Sequence, residues 1–237
     1  MKSNSKSPYQ KLMLRILHNL QGLSVILAVI TAFWTYNTYD GRWGKIAFLP
    51  DWKEIEGIHG TFGLWVLLIL PIFIIYSIHK QAQKLIQKDS LDKLKLINKP
   101  IWWYSLHRLV NTFSIFALVF AVFSGKMMDE KWLPQGELNH YWYYLHLISL
   151  IIVVLAIAFH VLTIAKIGSF SFLLSIFKLD FREDENPKYW LNKIKSLPEN
   201  YREIMINEWT KTPVYLKISE IVLIFTIILA WIISWLK

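Results

Sequence analysis

Residues 146–160 read HLISLIIVVLAIAFH, with a histidine at each end, thirteen residues between them and Ser149 as the one polar residue inside. They sit in a longer stretch, Leu138 to Ala165, that has no Asp, Glu, Lys or Arg. A bilayer-spanning helix needs about 20 predominantly apolar residues, so this stretch is long enough to cross. Fourteen helical steps return His160 to within about 40° of His146, and the two stand about 21 Å apart along the axis. They form one stripe at two depths and are too far apart to hold a single metal ion together. Each therefore needs a partner from another helix at its own level.

Four further stretches lack charge: Ile16 to Tyr39, Gly57 to His79, Leu109 to Gly125 and Ile221 to Leu236. The third and fifth in chain order are shorter but can extend by a turn into their flanks. The runs are continuous and do not alternate, which excludes a transmembrane β-barrel. The expected fold is all-α: an integral membrane bundle of four helices plus a fifth transmembrane helix. The first run is too long for a cleaved signal peptide and no small-residue cleavage site follows it, so it reads as a retained anchor.

The chain carries a net charge of +9, and its placement sets the orientation. Lys2, Lys6, Lys11 and Arg15 precede the first span; Lys80, Lys84, Lys88, Lys93, Lys95, Lys99 and Arg108 cluster around the second loop. The first loop has only Arg42, Lys45 and Lys53, and the third only Lys126 and Lys131. By the positive-inside rule the N-terminus is cytoplasmic and the C-terminus outside. The basic residues are juxtamembrane, where they favour anionic lipid, so nucleic acid is not an expected partner. With no cysteine, disulfides, cysteine-ligated iron–sulfur clusters and covalent haem attachment are excluded.

Along the chain we expect a basic tail (1–12), a four-helix domain (13–168), a cytoplasmic loop (169–214) and a C-terminal span (215–237). Within that loop SFSFLLSIFK suits an amphipathic segment lying on the membrane. WWY (102–104) and YWYY (141–144) suit aromatic belts.

All seven histidines lie in or beside the first four spans. Intramembrane ionisable residues are rare and point to function by default. Chain direction places His18 at the level of His160 on the inner side, and His59 at the level of His146 on the outer side. Two imidazoles facing across a bundle can hold a haem iron from both sides. Gly22 and Gly63 each follow a histidine by four residues and so share its face. Each glycine either leaves room for a porphyrin edge or permits close helix packing. Arg15 precedes His18 by one turn and is either a haem-propionate partner or a positive-inside anchor. His107 could replace a ligand of the inner haem, line a quinone site together with Arg108, or mark the interface. His79 and His140 read as interfacial.

With RILHNLQG in the first helix, HGTFG opening the second and the 146/160 pair in the fourth, residues 10 to 168 resemble the bacterial cytochrome b561 family, with related cytochrome b subunits in hydrogenases and formate dehydrogenases. The resemblance implies a four-helix bundle holding two non-covalent b haems, ligated by His18 with His160 and by His59 with His146. That is the pairing reached from depth. The 169–214 loop and the fifth span depart from the family pattern and leave donor and acceptor open.

The expected function is electron transfer between a membrane quinone pool and another redox carrier, in a bacterial plasma membrane or an internal photosynthetic membrane. Acid–base chemistry would enter only where quinone is protonated. The alternative is a haem-binding anchor subunit that docks a redox partner protein through the 169–214 loop; a homodimer is also compatible. A histidine relay for metal ions or protons ranks last, because it calls for intramembrane carboxylates and the helix interiors have essentially none.

Overall fold

The computed structural model describes residues 10–178, 180–190, 206–207 and 209–236. The basic tail before residue 10 and residues 191–205 of the expected docking loop lie outside them. Five long helices dominate: α1 Leu12–Tyr39, α2 Ile55–Lys80, α3 Pro100–Met127, α4 Tyr141–Leu174 and α5 Val214–Leu236. All five are long and apolar enough to cross a membrane. The fold is the all-α membrane bundle expected, with no strand among the described residues. α3 gains its length upstream of its uncharged run, starting at Pro100, whose missing N–H costs nothing in a first turn.

In hydrocarbon every polar group must be satisfied within the protein. The helices do this locally. Ser24 donates to the Leu20 carbonyl (2.9 Å) and Thr31 to Leu27 (2.7 Å) on α1. Ser105 donates to Ile101 (3.0 Å) and Thr112 to Arg108 (2.9 Å) on α3. On α4, Ser149 donates to the carbonyl of His146 (2.6 Å) and Thr163 to that of His160 (3.0 Å).

Packing divides the bundle into two hairpins. α1 runs along α2 and α3 runs along α4, whereas α1 meets α4 only sparsely. α5 lies against α3 and α2, where Leu216, Leu223 and Ile227 join Leu67, Leu70, Ile74, Ile115 and Val119 in one core. A second core of small side chains fills the middle of the four-helix domain: Val25, Val66, Ala117, Val153 and Ala156. Val25 and Val66 each follow a histidine (His18, His59) by seven residues, and Val153 stands seven from both His146 and His160. The histidine levels are thus separated by an apolar layer.

Both ends are tied. On the face opposite the chain's start, Asp40 accepts from Arg42 Nε (2.6 Å) and from the Tyr143 hydroxyl (2.7 Å), joining the first loop to the start of α4. Burial alone would push the Asp40 carboxyl up, but these hydrogen bonds outweigh it and hold it below the usual carboxylate range.

At the basic face α4 does not stop at residue 168. It breaks at Ser169, whose backbone (φ 59°, ψ −178°) is one L residues rarely adopt, and continues to Leu174 before a 3₁₀ turn at Ser175–Phe177. A side chain at Gly168 would collide with Phe172, so glycine permits the fold-back. A backbone in such a region costs about 1–3 kcal/mol and persists only when its surroundings hold it. Here Arg15 and Asn19 of α1 capture carbonyls just past the break: the Arg15 guanidinium donates to Lys178 and Asp180, and Asn19 to Ile176 (2.9 Å). SFSFLLSIFK is therefore docked on α1 at its far end.

α5 carries a buried carboxylate that the uncharged-run pattern does not reveal. Glu220, 8% exposed, stands in its second turn. His79 of α2 reaches both its oxygens through Nε2 at 3.1 Å. Trp209 stacks on the imidazole, with centroids 5.6 Å apart. His79 is thus a helix–helix tie.

These ties have two measurable effects. An Asp whose folded-state pKa is depressed contributes stability above its unfolded pKa of about 3.9, and loses it as pH falls through the folded value. Asp40→Asn should therefore unfold at lower temperature than the parent at pH 6, with the gap closing below about pH 4; thermal scans in detergent at both pH values check this. His79→Ala leaves the Glu220 carboxylate buried without its partner and should lower the unfolding temperature at neutral pH in the same assay.

Candidate haem sites

The structure brings together the pairs that depth predicted. His18 of α1 faces His160 of α4 with ring centroids 5.9 Å apart and planes at 28°. His59 of α2 faces His146 of α4, also at 5.9 Å, with planes at 53°. A metal–imidazole bond is about 2.0 Å, and a ring centre lies about 1 Å behind its nitrogen. Two imidazoles on opposite sides of one ion therefore have centroids about 6 Å apart, close to both pairs. Both bridge the seam between the hairpins.

Ligation also requires one ring nitrogen to be bare, which is set by what the other nitrogen does. His59 Nδ1–H donates to the Ala28 carbonyl at 3.1 Å, with the Thr31 hydroxyl at 3.2 Å. His146 Nδ1 is 3.1 Å from Ser124 Oγ, which in turn donates to Ala121 O at 3.1 Å. His160 Nδ1–H donates to Asn111 Oδ1 at 2.9 Å. These partners assign the tautomer that leaves Nε2 with its lone pair in all three. His18 differs: its Nδ1 is buried with no partner.

Asn111 is one residue of this site that sequence reasoning missed. Its oxygen orients His160, while its amide donates to the Lys84 carbonyl (2.9 Å) and to His107 Nε2 (3.2 Å). The signal was present, because Asn111 is one helical turn after His107 and is an amide inside an apolar run. His107 itself stacks on His160 at 5.6 Å and 28°. Its Nδ1 is 3.0 Å from Thr163 Oγ1, so both its nitrogens are engaged and neither is open to iron. Its place is that of a buttress for His160.

The hydrogen bonds of the two arginines go elsewhere. Arg108 donates through Nε to Gln83 O (3.0 Å) and lines a cleft of about 460 Å³ with Lys88, Lys93 and Tyr215. The hydrogen bonds of His107 and Arg108 go to different surroundings. Arg15 is 1% exposed and its terminal nitrogens are committed to the Lys178 and Asp180 carbonyls, leaving Nε unpartnered. Its place in this structure is the clamp on the chain after α4. Lys84 is a loop charge by sequence alone. Its amine meets the Gln10 side chain, and burial pulls its pKa down to about 8.

The surroundings of the glycines bear on one of the two readings given to them. A Cβ on Gly22 or Gly63 would meet nothing within 4 Å, so neither serves close helix packing. Gly57 and Gly60 are equally open, so openness alone does not mark a site; what sets Gly22 and Gly63 apart is the helix face each shares with His18 or His59. Gly125 was missed. A Cβ there would lie 3.0 Å from His146 Cε1, so its bareness seats that ring.

These residues fit a haem better than a bare metal ion. Among the described residues no group of three or more His, Asp or Glu converges, whereas a closed tetrahedral site needs four donors. The two imidazole pairs would suit a haem iron, to which the porphyrin would supply the remaining donors. A family model described as prokaryotic cytochrome b561 matches residues 9–177. The chain belongs to the prokaryotic cytochrome b561 family. It is accordingly a membrane b-type cytochrome of electron transfer. The matched segment of this cytochrome ends with the 3₁₀ turn docked on α1, and α5 lies beyond it. No curated protein and no solved structure matches the chain.

Because position 22 has room in the structure, Gly22→Val should fold with unchanged thermal stability as haem-free protein yet bind less haem; Gly63→Val should behave alike at the other level. Gly125→Val should displace His146 and lower haem content through its ligand. Pyridine haemochrome assays beside thermal scans check all three, and full haem content in the Gly22 and Gly63 variants would return those glycines to a lipid-facing role.

Proposed function

We propose that the chain binds two b haems, an inner one between His18 and His160 and an outer one between His59 and His146. Through them it would carry electrons between a membrane quinone pool and another redox carrier. The observation that carries this reading is the repeat of one geometry: two imidazole pairs at the same 5.9 Å separation, on one stripe of α4, with an apolar layer between them. A b haem supplies a one-electron iron centre whose potential responds to axial ligation, hydrogen bonding and burial. The protein's part is to hold Nε2 of each histidine toward the ring, to fix the tautomer through Nδ1, and to exclude water from the space between the levels. The charge distribution supports a cytoplasmic N-terminus and a cytoplasmic side for the inner pair.

The test is a dithionite-reduced minus oxidised spectrum of detergent-purified protein with pyridine haemochrome quantitation. Two b haems per chain are expected. His146→Ala or His59→Ala should remove one haem and leave the inner one; His18→Ala or His160→Ala should remove the other. His79→Ala and His140→Ala should keep both. Loss of both haems from any single ligand change would show that the pairs are not separate sites, and a haem-free wild type made with adequate haem supply would overturn the reading.

A further inference from the structure

Three of the four paired histidines have a fixed partner at Nδ1: a backbone carbonyl for His59, Ser124 for His146 and Asn111 for His160. His18 has none, and its Nδ1 is buried. One turn further along α1 stands Gln21, 3% exposed, with both amide atoms buried and unpartnered. Such an amide in hydrocarbon is costly unless something uses it.

The two orphans are neighbours by construction. Residues three apart share a helix face, and helical side chains lean toward the N-terminus. The side chain of Gln21 therefore overlies the turn that carries His18. The other groups near His18 do not serve. Phe73 approaches its ring edge-on at 6.4 Å and offers no acceptor. Asn19 also has an unpartnered oxygen, but its amide is turned to Ile176 O, and adjacent helical residues do not face each other. Arg15 has only donors.

We propose that Gln21 is the positioning residue of His18. In the haem-loaded protein its Oε1 accepts the Nδ1–H of His18, as Asn111 does for His160, and fixes the tautomer that presents Nε2 to the inner iron. This rests on the di-haem reading above. An imidazole that donates from Nδ1 is the more basic ligand and stabilises the oxidised iron. Gln21 therefore lowers the potential of the inner haem and leaves the outer one alone.

The experiment is a potentiometric titration of detergent-purified holoprotein, followed optically, with the inner wave assigned from the His146→Ala variant. Gln21→Leu removes the acceptor and should raise the inner midpoint potential while the outer one stays at its wild-type value. Gln21→Glu keeps an oxygen at the same reach and should hold the inner potential at or below wild type. An unchanged inner potential in Gln21→Leu overturns the proposal. So does an equal shift of both haems, or a rise in both variants, since a merely structural amide would act through packing and not through an acceptor. A wild type without two haems would instead sink the haem reading itself, so the two failures are distinguishable.

Discussion

An imidazole inside a membrane bundle has two nitrogens, and neither can be left to water. The described residues of this chain are arranged around that constraint. On α4, hydroxyls at positions 149 and 163 bind the carbonyls of His146 and His160, and side chains from α3 take the Nδ1 atoms of the same two residues. The backbone of α1 takes the Nδ1 of His59. With one nitrogen spoken for in each of these three rings, the other is left for the partner across the seam. The sparse approach of α1 to α4 suits the proposal that a flat group lies in this seam at the histidine levels.

The helix count, the depth of each histidine and the pairings were legible in the sequence because they depend on quantities a sequence carries directly: run length, chain direction and helical phase. The residues that orient the rings were harder to see. Asn111 and Ser124 are two of several polar residues on α3, beside Thr112 and Ser114, and Gly125 is one small residue near a span end. Nothing local says which face of α3 meets α4. His107 shows the limit most clearly. Its place beside Arg108 at the start of a span left three roles open, and the approach of Thr163 and Asn111 to its two nitrogens points to a fourth, a buttress for His160.

Arg15, Asn19 and Glu220 were underread for a related reason. A basic residue before a first span is expected by composition alone, so its use as a clamp on carbonyls 163 and 165 residues away leaves no local trace. Glu220 sits immediately before an uncharged run and looked like its boundary. In the fold it is inside the helix and held by His79. Both contacts join the four-helix domain to the chain beyond residue 168, where the family pattern offers least guidance.

The apolar layer of Val25, Val66, Ala117, Val153 and Ala156 has an electrical consequence. The two histidine levels on α4 are about 21 Å apart, in a hydrocarbon slab of about 30 Å. An electron moved from one level to the other crosses about two-thirds of the slab. One full crossing is worth about 2.3 kcal/mol for each 100 mV of membrane potential, so the step between levels feels about 1.5 kcal/mol per 100 mV. That is about a tenfold bias in the ratio of occupancies. With a haem at each level, as proposed, the voltage of the membrane would be one of the terms that decide which way current flows through the bundle.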